Sequence, residues 1–182
     1  PSASYPARAD VVTLAKETAR ALAGRGRTSV RMGYDASLFT GPAASPGWQP
    51  DYVPDGVVSP ISALWVDEGR EAGGSGRVAD PASYASGVFA AALRKRGIVV
   101  RGAGGPTTAP TSWSELASVD SAPLGEIVEH VLDVSDNEAA EVLAHQVGLA
   151  VSGTGSFLDG ADAVSKALSG LGIDVEGVEL YD

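Results

Sequence analysis

The 182-residue chain has no cysteine and only two histidines, His130 and His145. Without cysteine there is no thiol nucleophile, no thiolate metal ligand and no disulfide, although this leaves the compartment open. Two histidines are too few for a histidine-rich metal site. Lysine is scarce as well: Lys16, Lys95 and Lys166 are the lysines among 13 basic residues, set against 23 acidic ones. The formal charge of −10 argues against nucleic acid as a partner, because neutralising phosphates takes an excess of Lys and Arg. No apolar run approaches the ~20 residues of a membrane-spanning helix, so no membrane span is expected. Apolar material is ample: 44% of residues are hydrophobic and 20% charged, enough to build a core. Eleven prolines point to irregular connections between short elements.

Local signals divide the chain in two. Asp10 is a good N-cap for a helix to about Ala23, with Val11, Leu14, Ala15, Thr18 and Leu22 at helical spacing and Gly24 as a stop. Ser29 to Tyr34 reads as a strand, with Val30 and Met32 on one face. Asp35 to Pro60 has no periodicity and reads as a long loop pinned by Phe39, Trp48 and Tyr52. Ile61 to Val66 reads as a buried strand, and Glu71 to Gly76 as a flexible loop by composition. Asp80-Pro81 starts a second helix, continued by Tyr84, Val88, Ala91, Ala92 and Lys95 and ended at Gly97. Ile98 to Val100 is a short strand, and Trp113 to Val119 a further candidate. Strand, helix, strand in that order implies an α/β layer with parallel pairing.

After Asp120 the chain is helical. Leu124, Ile127, Val128, Val131 and Leu132 make one stripe. A second helix starts at Ser135 with Ala139, Val142, Leu143 and Val147 inward, and a third starts at about Ser156 with Phe157, Ala161, Val164, Leu168 and Leu171. The tail from Ile173 to Asp182 alternates like a strand. The expected fold class is therefore α/β (α+β): a small mixed sheet with flanking helices in the first two thirds, followed by an all-helical segment.

Most chemical candidates yield to plainer readings. Ile98 to Gly105 looks like a strand running into a phosphate loop, but Thr107 stands where a third glycine is needed. Pro106 and Pro110 forbid the helix that should follow. The acids Asp133, Asp136, Glu138 and Glu141 are expected to be solvated charges compensating a helix dipole. His130 and His145 are expected as surface or half-buried polar residues, since no third group pairs with either in sequence. Ser135-Asp136-Asn137 remains. Ser135-x-x-Glu138 before an apolar run is a capping box. Equally, S-D-N is one of three motifs of penicillin-recognising serine enzymes. There a hydroxyl can relay a proton, and an amide two residues on can hold a substrate carbonyl.

The surroundings of that tripeptide form an ordered series. It runs Gly33-Tyr34-Asp35-x-Ser37-x-Phe39, Pro46-Gly47-Trp48, Ser62-Ala63-Leu64-x-Val66-Asp67, then Asp80-Pro81-Ala82 with Phe89. It continues with Gly97-Ile98-x-Val100-x-Gly102, Ser121-x-Pro123-Leu124-x-x-Ile127, and Ser135-Asp136-Asn137-x-x-Ala140-Glu141-x-Leu143. The series covers nearly the whole chain and resembles the class C low-molecular-mass penicillin-binding proteins, serine D-alanyl-D-alanine carboxypeptidases and endopeptidases of the bacterial cell wall.

The resemblance implies an extracytoplasmic enzyme that cleaves peptidoglycan stem peptides through an acyl-serine, is acylated by β-lactams, and uses no metal or cofactor. It implies a relay role for Ser135 and a substrate-orienting role for Asn137. It further implies an accessory inserted α/β region over residues 1–120 and part of the helical lobe of the penicillin-binding domain over 121–182. The family's S-x-x-K and K-T-G do not occur: Thr13-Leu14-Ala15-Lys16 has the first spacing with the wrong nucleophile. The chain is accordingly expected to be a middle fragment, inactive alone and completed by the remaining parts of that domain. The competing expectation is a non-catalytic peptidoglycan- or partner-binding module, using the loop around Trp48 and Tyr52, in which Ser135 is only a cap.

Overall fold

The computed structural model describes residues 5–74, 76–102 and 104–181. They form two compact units, each built from two stretches of chain: Pro1–Asp35 with Ala82–Asp136, and Ala36–Pro81 with Asn137–Asp182.

In the first unit, α1 (Val11–Gly24) starts where Asp10 accepts from the N–H groups of Val12 and Thr13, both at 2.9 Å. The Thr13 hydroxyl donates to the same carboxylate at 2.6 Å, so the Thr-Leu-Ala-Lys stretch is ordinary first-turn structure. Ala15, Thr18, Ala19 and Leu22 face inward, the 3.6-residue stripe expected of an amphipathic helix. β1 (Ser29–Arg31) pairs in parallel with β2 (Val99–Arg101), with Val30 opposite Val100. Parallel neighbours need a crossover, and α2 (Pro81–Lys95) lies on it. α1, α2 and the strands share one core of Ala15, Leu22, Leu93, Ile98 and Val100, with Val30, Met32 and Phe89 packed against it.

β1 is shorter than the strand expected to reach Tyr34. Pairing resumes only as a bridge from Tyr34 to Pro106, where the Thr107 N–H donates to the Tyr34 carbonyl at 2.9 Å. At Gly33 between them, a Cβ would come within 2.6 Å of the Thr107 methyl, so the chains approach too closely there for a side chain. On α2 the buried residues include Ala82, Ala85, Ser86, Ala90, Ala92 and Leu93; of the stripe expected, Ala92 is buried, Tyr84 and Val88 are half-buried, and Ala91 and Lys95 are exposed. Trp113 to Val119 is not a strand; Trp113 closes a turn on Pro110 and is 69% exposed. α3 (Leu124–Val134) carries the expected stripe, yet only Val131 of it is buried, and Leu124 and Leu132 stand largely in solvent.

The second unit packs α4 (Asn137–Ser152) against α5 (Phe157–Gly170), joined by a short turn as an αα-hairpin. Two glycines allow the contact. A Cβ on Gly160 would lie 2.8 Å from the Ala144 carbonyl, and one on Gly148 would lie 2.9 Å from the Asp159 Cβ. Ser156 caps α5: its hydroxyl accepts from the Asp159 N–H at 3.2 Å and donates to the Asp159 carboxylate at 2.6 Å.

The long stretch from Ala36 to Pro60 has no regular element and is pinned by two of the three aromatics expected, with Phe39 on His145 and Trp48 edge-on to Phe157, while Tyr52 is exposed. Ile61 to Val66 is not a strand. Ile61 is buried and donates its N–H to the Ala43 carbonyl, but Pro60 precedes it and the Ser62 hydroxyl folds the chain back onto Leu64. Glu71 to Gly76 is a tight turn closed by an antiparallel bridge between Arg70 and Arg77, with Ser75 outside the described residues. The tail is not a strand up to Tyr181: Asp174 caps the Glu176 N–H and Val178 bonds back to Val175. The last residue of that expectation, Asp182, lies outside the described residues.

Candidate active site

Ser135 and Asp136 separate α3 from α4 along the chain. Ser135 does not cap α4. It ends α3 in the left-handed conformation, φ 55° and ψ 52°, and its N–H returns to the Val131 carbonyl, as does that of Asp136 at 3.0 Å. This is the αL type of helix C-terminus, normally the place of glycine. The expected capping box is therefore absent at Ser135, and the Ser-x-x-acid logic operates at Ser156 instead. The Ser135 side chain is exposed.

Asn137 is the first residue of α4 and is also exposed. The next residue, Glu138, is buried rather than solvated, with 8% of its surface accessible. One carboxylate oxygen accepts the Ser59 N–H at 2.9 Å, and the other accepts Nη2 of Arg77 at 2.7 Å and of Arg70 at 3.5 Å. Arg77 is itself only 9% exposed. Burial raises the Glu138 pKa above the ordinary glutamate range, against the pull of the Ser59 N–H and the two guanidinium groups. Glu68 is paired with Arg70 at 3.1 Å. Glu68 and Glu138 are thus each paired with an arginine.

Deeper in α4, the inward residues are Glu141, His145 and Gly148. The expected inward set is displaced, and Val147 is exposed. His145 is 2% exposed, fully buried where a surface or half-buried position is expected. It sits between the rings of Phe39 and Phe157, at 4.7 and 4.6 Å. Its Nδ1–H donates to the Glu141 carbonyl at 2.8 Å, and burial lowers its pKa. Glu141 is buried too, on the wall of a cavity of about 230 Å³ with Ser45, Ala144, Phe157 and Val164. That volume is below the ~300 Å³ at which small-molecule sites begin. Neither buried acid had a signal in the sequence beyond its type: the partners of Glu138 lie 61 and 79 residues away, and Glu141 shares its cavity with Ser45 as well as with the residues of α5.

The binding-module reading depended on a capping Ser135 and free aromatics near Trp48. The first is absent, and the Trp48 ring is engaged with Phe157, leaving Tyr52 as the more exposed aromatic of that loop.

The chain belongs to the D-Ala-D-Ala carboxypeptidase 3 (S13) family, whose profile matches residues 7–74 and 71–182. This bears out the resemblance carried by the ordered motifs. It is 35% identical over 160 residues to carboxypeptidase Rv3627c of Mycobacterium tuberculosis, covering 86% of this chain and 34% of that protein. It is 33% identical over 165 residues to carboxypeptidase DacB of Mycolicibacterium smegmatis, covering 87% and 34%. A D-alanyl-D-alanine carboxypeptidase of Actinomadura is 37% identical over 108 residues, 58% of this chain and 20% of that protein. The chain thus spans 34% of the length of the two mycobacterial relatives. No helix among the described residues is long and apolar enough to cross a membrane.

Proposed function

We propose that this chain is part of a serine-type D-alanyl-D-alanine carboxypeptidase or endopeptidase acting on peptidoglycan stem peptides outside the cytoplasm. The nucleophile is the serine of an S-x-x-K motif that this chain does not carry. It attacks the carbonyl of the penultimate D-Ala, forming the acyl-serine ester while the C–N bond to the terminal D-Ala breaks. The Ser135 hydroxyl relays a proton to the departing amine. The Asn137 amide holds the substrate and keeps the reacting carbonyl in line. No metal or cofactor takes part, and β-lactams acylate the same serine. Residues 1–120 are the accessory inserted region, and 121–182 are part of the helical lobe; the apolar residues that α3 leaves exposed fit such a setting.

The observation that carries the reading is the family membership combined with Ser135-Asp136-Asn137, in which Ser135 follows the end of α3 and Asn137 begins α4, both proposed side chains being exposed. The test uses the intact enzyme and a fluorescent penicillin. Wild type should be labelled stoichiometrically. Asn137→Ala should slow acylation on the order of 10²–10³-fold with an unchanged melting temperature. The 182-residue chain alone should form no adduct, since it lacks the nucleophile. Unlabelled wild type, or Asn137→Ala acylated at the wild-type rate, would refute the assignment.

A further inference from the structure

The first turn of a helix is the part that frays most readily, because its N–H groups lack intrahelical partners. Asn137 stands at that weakest place in α4, with its side chain in solvent. Nothing in its own contacts explains how its amide could be kept in place to a fraction of an ångström. The neighbouring residue supplies the means. Glu138 uses both carboxylate oxygens at once and in different directions, towards the Ser59 N–H and towards the Arg77 guanidinium. These partners lie 79 and 61 residues away in sequence, on two separate segments. Two directional, charge-assisted bonds to one short side chain restrict both the position of the turn and its rotation about the helix axis. An apolar contact would permit sliding.

The receiving segments are themselves tightly held. Ser59 is fully buried, and its hydroxyl lies so close over Gly69 that a Cβ there would come within 2.0 Å of it. Gly69 has φ +67°, so the site demands glycine on two counts. Its carbonyl accepts the Val78 N–H at 2.8 Å, and the Arg70–Arg77 bridge closes the turn beside it.

Stability is a poor explanation for this arrangement. Buried ion pairs are commonly no better than well-packed apolar residues of the same volume. Here Nε and Nη1 of Arg77 and Oγ of Ser59 are buried with no hydrogen-bond partner among the described residues. The arrangement sacrifices hydrogen bonds yet keeps the geometry at the start of α4.

We propose that Glu138, held by Arg77 and the Ser59 N–H, is a positioning residue that fixes the first turn of α4 and thereby the place of the Asn137 amide. The inference rests on the reading of Asn137 as a substrate-orienting group.

The decisive experiment replaces the pair by an apolar one, Glu138→Leu with Arg77→Met, in the intact enzyme. Melting temperature, first-order acylation rate by penicillin and non-covalent penicillin affinity are then measured. The expected result is a folded protein with a melting temperature within a few degrees of wild type, the apolar pair offsetting the unpaired Ser59 N–H, and acylation slowed about 10–100-fold, since misplacement by about 1 Å costs rates of that order. Affinity should change far less than rate, and the first-turn amides of α4 should exchange hydrogen faster. If the double variant does not fold, Glu138→Gln takes its place; it keeps the Ser59 bond, loses the charge, and should show the same loss of rate in a folded protein. Wild-type acylation by a folded variant overturns the inference. Asn137→Ala, run alongside, separates the two ideas. A slow Asn137→Ala beside a fast pair variant removes only the positioning role, whereas a fast Asn137→Ala or an unlabelled wild type removes both.

Discussion

Substituting Ser135 distinguishes an N-cap from a left-handed helix end, because the two make opposite predictions for glycine. At an N-cap, Ser→Ala costs about 1 kcal/mol and Ser→Gly a few tenths. At the φ of 55° and ψ of 52° found here, any residue with a Cβ is strained by about 1–2 kcal/mol, and glycine is not. Glycine also gains about 0.5–1 kcal/mol of freedom in the unfolded chain. The net expectation is that Ser135→Gly stabilises by about 0.5–1 kcal/mol, a rise of about 1–4 °C in melting temperature for a chain of this size. Ser135→Ala keeps the Cβ and loses only an exposed hydroxyl, so it should stay within about 0.5 kcal/mol of wild type. Calorimetry on the 182-residue chain reads these shifts. Acylation of the intact enzyme should fall in both variants, because both lack the relay hydroxyl. Ser135→Gly would then be more stable and less active, a combination that a cap cannot produce. A glycine variant melting below wild type, or an alanine variant losing a full ~1 kcal/mol, would show that the reasoning about the helix end is wrong.

Two further expectations concern the helical hairpin. The His145 pKa is lowered by burial from its ordinary 6.5, so the unfolded chain binds the proton more readily. The resulting stability is fully present above about pH 6.5 and is lost as pH falls towards the folded-state pKa, at no more than ~1.4 kcal/mol per pH unit. Urea unfolding between pH 5 and 7.5 should show this slope in wild type and a flatter one in His145→Leu; equal slopes would contradict it. Gly160→Ala pushes a methyl to within 2.8 Å of the Ala144 carbonyl. It should cost about 1–2 kcal/mol, overpacking outweighing the better helix propensity. Gly87→Ala in α2 meets nothing within 4 Å and should stabilise by about 0.4–1 kcal/mol.

What could be read in advance was what depends on neighbours in sequence. Asp10 and Asp80-Pro81 announce α1 and α2 because a cap acts over three residues, and the strand–helix–strand order implies the parallel pair β1 and β2. Failures arose wherever a distant partner decides the outcome. Ile61 to Val66 has the composition of a buried strand but finds no strand to pair with, and a serine turn takes it instead. On α4 the apolar stripe suggested one inward face. Phe39 and Arg77 arrive from far away and draw His145 and Glu138 inward. The Ser-x-x-Glu pattern at Ser135 was misleading for the same reason: Glu138 has a stronger partner in Arg77 than in the helix end. The ordered motifs were legible as a family, whereas the packing that gives those residues their surroundings was not.

The interleaving of the two units bears on how the chain is made. The stretch Ala36–Pro81 is translated first, and its packing partners begin only at Asn137. At ~5–20 residues per second, the ~55 residues between take roughly 3–11 s to emerge. Throughout that interval Phe39, Trp48 and Arg77 have no α4 or α5 to rest on, while the remaining residues of the first unit are being made. The nascent chain therefore carries an exposed aromatic segment for several seconds, a natural target for a holding chaperone. Slowing translation between codons 82 and 136 should lengthen that exposure and increase aggregation, whereas the same pause placed after residue 170 should have little effect.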